Sequence, residues 1–187
     1  MRTRSTHTVA DKTPAFAIWV TGLPASGKST VVKALASALA ARGVDVAVLE
    51  SDVLRTVFTP HPRYDEEERD TFYRQLVYVG VLLAQHGVPV IFDATGSKRA
   101  YRDHARAQIS RFLEVYVDCP LEICMSRDPK GIYRAGRDGT ANIVPGLQDA
   151  YELPVNPDVM VRGDSEEPGT AAQRILLKLI AKGYIAP

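Results

Sequence analysis

Short apolar runs alternate along the chain with longer segments of helical period. The apolar runs are Phe16–Thr21, Val44–Glu50, Val88–Asp93, Phe112–Asp118 and Asp158–Arg162. Most are continuously apolar rather than alternating, the pattern of strands buried on both faces. Lys28–Arg42 is rich in alanine and leucine and stops at Gly43, a residue suited to the left-handed position that ends a helix. Asp65–His86 places Phe72, Leu76, Val79 and Leu83 on one face and stops at Gly87. Lys98–Ile109, Leu121–Arg127 and Thr170–Lys182 complete the helices. Strands that alternate with helices predict βαβ units and a parallel sheet, hence an α/β fold.

Two segments fall outside this rhythm. Residues 1–14 are polar and without period, which predicts a flexible tail before a single domain over 15–187. Asp128–Pro157 is rich in glycine and proline and sustains no helical period. A connection of this length is a plain surface excursion or a functional loop. Lys130, Tyr133, Arg134 and Arg137 favour the second, a mobile lid over an anionic ligand spanning about 128–151.

Composition narrows the classes. The chain has 187 residues, with 23 Lys and Arg against 22 Asp and Glu, a formal net charge of +1. That near-neutral balance argues against a protein held on nucleic acid or an anionic membrane by bulk charge. It leaves room for a local basic pocket. No stretch approaches the ~20 apolar residues of a membrane span, and Met1–Pro14 lacks the apolar centre of a secretory leader. Cys119 and Cys124 have neither CxxC nor metal-ligand spacing. They read as partly buried thiols in a reducing, cytoplasmic compartment. His7, His61, His86 and His104 are scattered and suggest no zinc site.

One motif changes the picture. Gly22, Leu23, Pro24, Ala25, Ser26, Gly27, Lys28 and Ser29 spell GxxxxGK[ST], followed by Thr30. The bland alternative is a glycine turn capped by Ser26. The motif follows an apolar run and opens an alanine-rich helix, which is the strand–loop–helix context of a phosphate-binding P-loop. Gly22 and Gly27 let the backbone turn its N–H groups inward as an anion nest. The helix that begins near Lys28 aims its positive end at the phosphates. Lys28 reaches the β- and γ-phosphates of ATP, and the Ser29 hydroxyl is a ligand for Mg²⁺. The fold class is therefore a three-layer P-loop α/β fold with a five-stranded parallel sheet. No NKxD tetrad is present to read guanine.

Functional groups of such sheets gather at the carboxyl ends of the strands. Glu50 and Asp52 follow the second strand, and Asp93 and Asp118 close the third and fourth. Val90–Asp93 has the form of a Walker B strand, with Asp93 placed to hold Mg²⁺ through water. Asp52 is either the group that accepts a substrate proton or the cap of a short helix from Val53. Asp118 reads as a turn or cap. The acids Asp65–Glu68 open a helix, where they complement its dipole on a solvated face.

At this point the residues resemble the adenylyl-sulfate (APS) kinase family, from the P-loop to about Val159. Gly22–Thr30 is similar to that family's GLxxSGKST loop, and Leu49–Arg55 to its L-D-G-D-N-[IV]-R. Phe112–Glu122 resembles F-[IL]-E-V-[FY]-V-D-x-P-L-E. Arg127–Tyr133 resembles RDPKGLY, and Pro145–Glu152 resembles F-T-G-I-D-D-P-Y-E. The resemblance implies transfer of the γ-phosphate of Mg·ATP to the 3′-hydroxyl of APS. It implies Asp52 as base, Arg55 and Arg69 as contacts to a small anionic, nucleotide-like substrate, and Lys130 as the lid lysine. It also implies a homodimer. The chain departs from the pattern at Glu50-Ser51 (Asp-Gly in the family), Val53 (Asn), Phe72 (Asn) and Thr95–Arg99 (I-S-P-Y-R). Phe72, Thr95 and Arg99 border the expected acceptor site, and Arg55, Arg69 and Arg99 are expected to grip its anions. Lys28, Arg55, Arg69, Arg99, Lys130 and Arg134 are expected to converge on one cleft. Kinases of another nucleotide-like or sugar hydroxyl, and a regulatory nucleotide-binding module, are the alternatives.

Overall fold

The computed structural model describes residues 14–63, 65–140 and 143–187. The predicted tail lies outside these residues apart from Pro14. Five strands form one sheet: β1 (Ala17–Thr21), β2 (Ala47–Glu50), β3 (Val90–Asp93), β4 (Phe112–Asp118) and β5 (Val159–Arg162). Their order is β2-β3-β1-β4-β5, and every neighbouring pair is parallel. β1, at the centre, is buried at every residue.

The alternation of side chains along each strand divides the core in two. Phe16, Ile18 and Val20 point to one face, where they meet Val31, Leu35 and Leu39 of α1 (Lys28–Ala40) and Ile175 and Leu179 of α7 (Pro168–Ala181). Ala17 and Trp19 point to the other, against Phe72, Leu76 and Val77 of α3 (Glu66–Gln85) and Tyr101 and Ala105 of α4 (Arg99–Gln108). Helices on both faces of a parallel sheet make the three layers expected. The predicted strands and long helices all appear, with ends shifted by up to three residues; most are trimmed, and the last helix starts two residues earlier, at Pro168.

Three local expectations are corrected. The buried stripe of α3 runs through Phe72, Tyr73, Leu76, Val77, Gly80, Val81 and Ala84, whereas Val79 and Leu83 are only half-buried. The stripe is turned because Gly80 admits the Phe92 ring, whose Cζ would lie 2.1 Å from an added Cβ. A short helix, α2 (Ser51–Phe58), starts two residues before the position expected from capping by Asp52. Its N-cap is Glu50, and Asp52 sits in the first turn. Between α5 (Leu121–Arg127) and β5, the lid segment contains a six-residue helix, α6 (Ile132–Arg137), too short to display a period.

The lid segment is anchored at both ends. Its first half forms a small core in which Tyr133 and Val144 meet Cys119, Cys124, Leu23 and Ala25. After its second half, Arg102 of α4 collects the chain. This guanidinium is 1% exposed and donates to Glu114 Oε1 at 2.8 Å, to the Gly96 carbonyl and to the Glu152 carbonyl at 2.7 Å. Glu114, a buried carboxylate in an otherwise apolar strand, also accepts from Arg106 at 2.8 Å. Removing one partner of a buried pair strands the other charge and costs about 3–5 kcal/mol. Arg102→Met is therefore expected to lower the unfolding free energy in urea by about 3 kcal/mol or more. A loss under ~1 kcal/mol would show that the network contributes nothing to stability.

Candidate active site

A cavity of about 630 Å³ opens at the carboxyl ends of the strands. Its floor is the P-loop between β1 and α1, with Pro24, Ala25, Gly27, Lys28, Ser29 and Thr30 facing in. Glu50, Ser51 and Asp52 line one wall, with Asp93 and Thr95 beside them. Arg127–Lys130 and Ile132 of the lid lie above, and Gly163–Pro168 after β5 closes the far side.

The floor is built by close approach. Gly22 sits at φ +153°, and a Cβ there would meet the Val117 carbonyl oxygen at 2.6 Å and Ser26 Oγ at 2.8 Å. Ser26 is fully buried, and its hydroxyl has no partner among the described residues. Gly22, Leu23 and Ser26 thus form the back of the loop rather than its inner surface. Ala25 holds φ +60°, a left-handed conformation rare outside glycine. Ser26 N–H donates back to the Leu23 carbonyl at 3.2 Å. By contrast, the amides of Ala25, Gly27, Lys28 and Ser29 donate to no protein carbonyl among the described residues. Four such donors on one concave floor are an anion cradle.

Lys28 completes the cradle. Its ammonium is buried and donates to the Leu23 carbonyl at 2.8 Å. Burial lowers its pKa to about 8, against the upward pull of the Asp93 and Asp52 carboxylates. Asp93 is buried at the end of β3, paired in register with Glu50 at the end of β2. Lys130 reaches from the lid to donate to Asp52 Oδ2. That hydrogen bond holds the Lys130 pKa above its ordinary value. The pair is exposed, so its value is in position rather than stability.

The loop after Asp93 is held at every residue. Trp19 Nε1 donates to the Ala94 carbonyl at 3.0 Å, and the Thr21 hydroxyl to the Thr95 carbonyl at 2.6 Å. Gly96 N–H donates to the Tyr73 hydroxyl at 2.9 Å, and the Ser97 carbonyl accepts from Glu152 N–H at 2.8 Å. Because the Thr21 proton is committed to Thr95, the Tyr151 hydroxyl 2.8 Å away donates to Thr21 Oγ1. The end of the lid is thereby hooked to the strand that carries the cradle.

The remaining expected site residues do not line this cavity. The Arg55 guanidinium lies over the buried Phe72 ring, 4.0 Å from its centroid, and 3.6 Å from Glu68. Arg69 donates to Asp149 at 2.8 Å and to the Ile143 carbonyl at 3.0 Å. Arg99 is bound to Glu152 through its N–H at 2.7 Å and its Nε at 3.5 Å. Arg134 is not among the lining residues either. Of the six cations expected to converge, Lys28 and Lys130 face the cavity. Carboxylates account for the difference: Glu68, Asp149 and Glu152 hold three of the arginines beside it. The Asp65–Glu68 acids are correspondingly more than a solvated face. Asp65 caps α3 by accepting from Glu68 N–H, Glu68 faces Arg55, and Glu66 holds Lys98. The two cysteines are free and buried, and burial pushes the Cys124 thiol up to about 12.

One part of the wall, the Gly163–Pro168 segment, lies outside every motif, and Arg127, which opens the segment similar to RDPKGLY, has a role that no motif announces. Arg127 donates to the Gly163 carbonyl at 2.8 Å, joining them. A Cβ at Gly163 would lie 2.2 Å from the Ser26 carbonyl oxygen, so the P-loop and this segment are in backbone contact. The one sequence signal was a glycine directly after the last apolar run.

The fold and the cradle define a P-loop phosphate-binding protein of the small-kinase type. The model of the adenylylsulphate kinase family matches residues 14–162. The adenylyl-sulfate kinase of Microcystis aeruginosa is 39% identical over 168 residues, 90% of this chain and 93% of that protein. That of Gloeothece citriformis is 40% identical over 168 residues, 90% of this chain and 96% of that protein. The structure of the Mycobacterium tuberculosis APS kinase in complex with AMPPNP and APS superposes with a TM-score of 0.82 at 32% identity. That match covers 89% of this chain and 98% of the other. The chain belongs to the adenylylsulphate kinase family.

The Lys28 environment sets a pH dependence. Burial lowers its pKa to about 8; a phosphate beside the ammonium raises it, so phosphate binding above pH 8 requires proton uptake. Affinity for ADP should be flat below pH 7.5 and fall about fivefold between pH 8 and 9, as the protonated fraction drops from a half to about a tenth. Calorimetric Kd values across pH 6.5–9.5 check this. A flat profile would contradict the role of Lys28.

Proposed function

We propose that this protein transfers the γ-phosphoryl group of Mg·ATP to the 3′-hydroxyl of adenylyl sulfate, giving 3′-phosphoadenylyl sulfate for sulfate assimilation. The observation that carries the reading is one cavity that unites the anion cradle, Asp93, Asp52 and the lid lysine. The relatives' names supply the acceptor.

Each residue then has a role. The amides of Ala25–Ser29 and the Lys28 ammonium bind the phosphates. Arg127 and Gly163–Pro168 flank the cavity beside the P-loop. Ser29 and Asp93 fit Mg²⁺: both present oxygen to the cavity, and no cluster of three or more acids, histidines or cysteines exists among the described residues to cage a metal alone. A cation that keeps its waters and arrives with phosphates suits that sparse donor set. When bound, Mg²⁺ neutralises charge on the β- and γ-oxygens. Asp52 orients the acceptor hydroxyl and takes its proton as the oxygen attacks γ-phosphorus and the bond to the β-γ bridging oxygen breaks. Lys130 moves from Asp52 toward the transferring phosphoryl as substrate enters. Thr95 lines the acceptor side; Arg55, stacked on the buried Phe72 ring, and Arg69 and Arg99 stand beside the cavity as contacts for the acceptor's anions, and the lid excludes water.

Exposed apolar side chains Val53, Val57, Tyr78 and Leu82 on α2 and α3 suit the homodimer implied by the family resemblance. The two free thiols suit a reducing, cytoplasmic compartment.

Asp52→Asn should keep ADP affinity within about twofold while APS-dependent ADP release falls more than ~100-fold, the scale of a positioned base. A mild effect would make Asp52 a helix residue only. Lys28→Ala should abolish turnover, and full activity in that variant would reject the cradle mechanism. If wild-type protein releases ADP with another nucleotide or a sugar but not with APS, the acceptor assignment is wrong and the kinase assignment stands.

A further inference from the structure

Tyr133 does not line the cavity, although Lys130 and Ile132, its near neighbours in the lid, do. It is fully buried on the opposite side of the P-loop, in the small core with Leu23, Ala25 and Cys124. Its hydroxyl donates to the Pro24 carbonyl at 3.0 Å. A trans peptide is planar, and its C=O and N–H point to opposite sides. The Pro24–Ala25 peptide is trans. A carbonyl drawn outward to Tyr133 therefore turns the Ala25 N–H inward, to the face that lines the cavity. Ala25 is also the residue at φ +60°, a conformation that a non-glycine residue keeps only when its surroundings impose it.

We infer that Tyr133 is a positioning residue for nucleotide binding: its hydroxyl holds the Pro24 carbonyl and so aims the Ala25 N–H at the phosphates. The inference rests on the P-loop as the nucleotide site. It also gives the lid a part in building the floor beneath the phosphates, since Tyr133 and the Asp52-bound Lys130 lie in one short segment. Asp128, which accepts from Arg134 N–H at 2.9 Å, fixes the turn that leads into α6.

Tyr133→Phe removes the hydroxyl and keeps the ring that fills the small core. Binding of ADP should weaken about fivefold to tenfold, the range of one hydrogen bond. Binding of adenosine, which has no phosphate for the Ala25 amide to meet, should change less than about twofold. The ATP concentration giving half-maximal rate should rise by a similar factor while kcat at saturating ATP is preserved. A purely structural role would lower the melting temperature and leave the ADP-to-adenosine ratio where it was, which overturns the inference, as does unchanged ADP affinity. If wild-type protein fails to bind ADP, the P-loop reading itself falls and the inference with it. A second measurement needs no variant: in the nitrogen-15 spectrum of wild-type protein, the Ala25 amide proton should move downfield when ADP is added. An Ala25 amide that stays in place overturns the inference even if Tyr133→Phe does not fold.

Discussion

The structure depends on one constraint: a run of backbone amides must point at a single anion without falling into the helix that follows. A fully buried central strand delivers the chain to that turn, and Gly22 passes where a side chain would strike the Val117 carbonyl. Ala25 is held in a left-handed conformation and Gly27 opens α1. The four free amides carry partial positive charge into a place where Lys28 is already costly to keep charged. Asp93 and Asp52 offset that cost. The cradle is thus poised: the negative charge of an incoming phosphate offsets the cost of keeping the buried Lys28 ammonium charged.

The surrounding charges follow from the same economy. Arg55, Arg69 and Arg99 are each held by a carboxylate beside the cavity, and Lys130 is held by Asp52. An acceptor with its own anions competes for these partners instead of meeting bare cations. Arg102 has the opposite character. Buried and hydrogen-bonded through each of its three guanidinium nitrogens, it clamps β4, the loop after β3 and the chain leaving the lid into one unit. The overall charge of +1 conceals this division between held cations at the site and a buried pair in the core.

Much of this was legible in the residues. Continuous apolar runs marked the inner strands β1 and β3 because strands covered on both faces have no polar side to display, whereas the edge strand β5 alternates, with Met160 and Arg162 exposed. The P-loop was legible because its chemistry is local, eight consecutive residues between a strand and a helix. The partners of the arginines were hidden for a physical reason: Arg55, Arg69 and Arg99 find their carboxylates 13, 80 and 53 positions along the chain, in Glu68, Asp149 and Glu152. No local pattern reports such pairs. Gly163 lay outside every motif, and Arg127, though within one, carried no assigned role, because both act only where the lid and the end of β5 meet. Glu114 was hidden inside an apolar run, and its burial is intelligible only once Arg102 is seen across from it. The six residues of α6 held too little period to announce a helix.

A cavity that joins ATP to a specific hydroxyl must exclude water while doing so. Phosphorus-31 spectroscopy of wild-type protein with Mg·ATP and adenylyl sulfate tests this most directly. A new phosphate-monoester resonance, assignable to the 3′ position, should grow in step with ADP while inorganic phosphate stays at background. ADP accompanied by inorganic phosphate alone, or an unchanged spectrum, would contradict the proposed transfer.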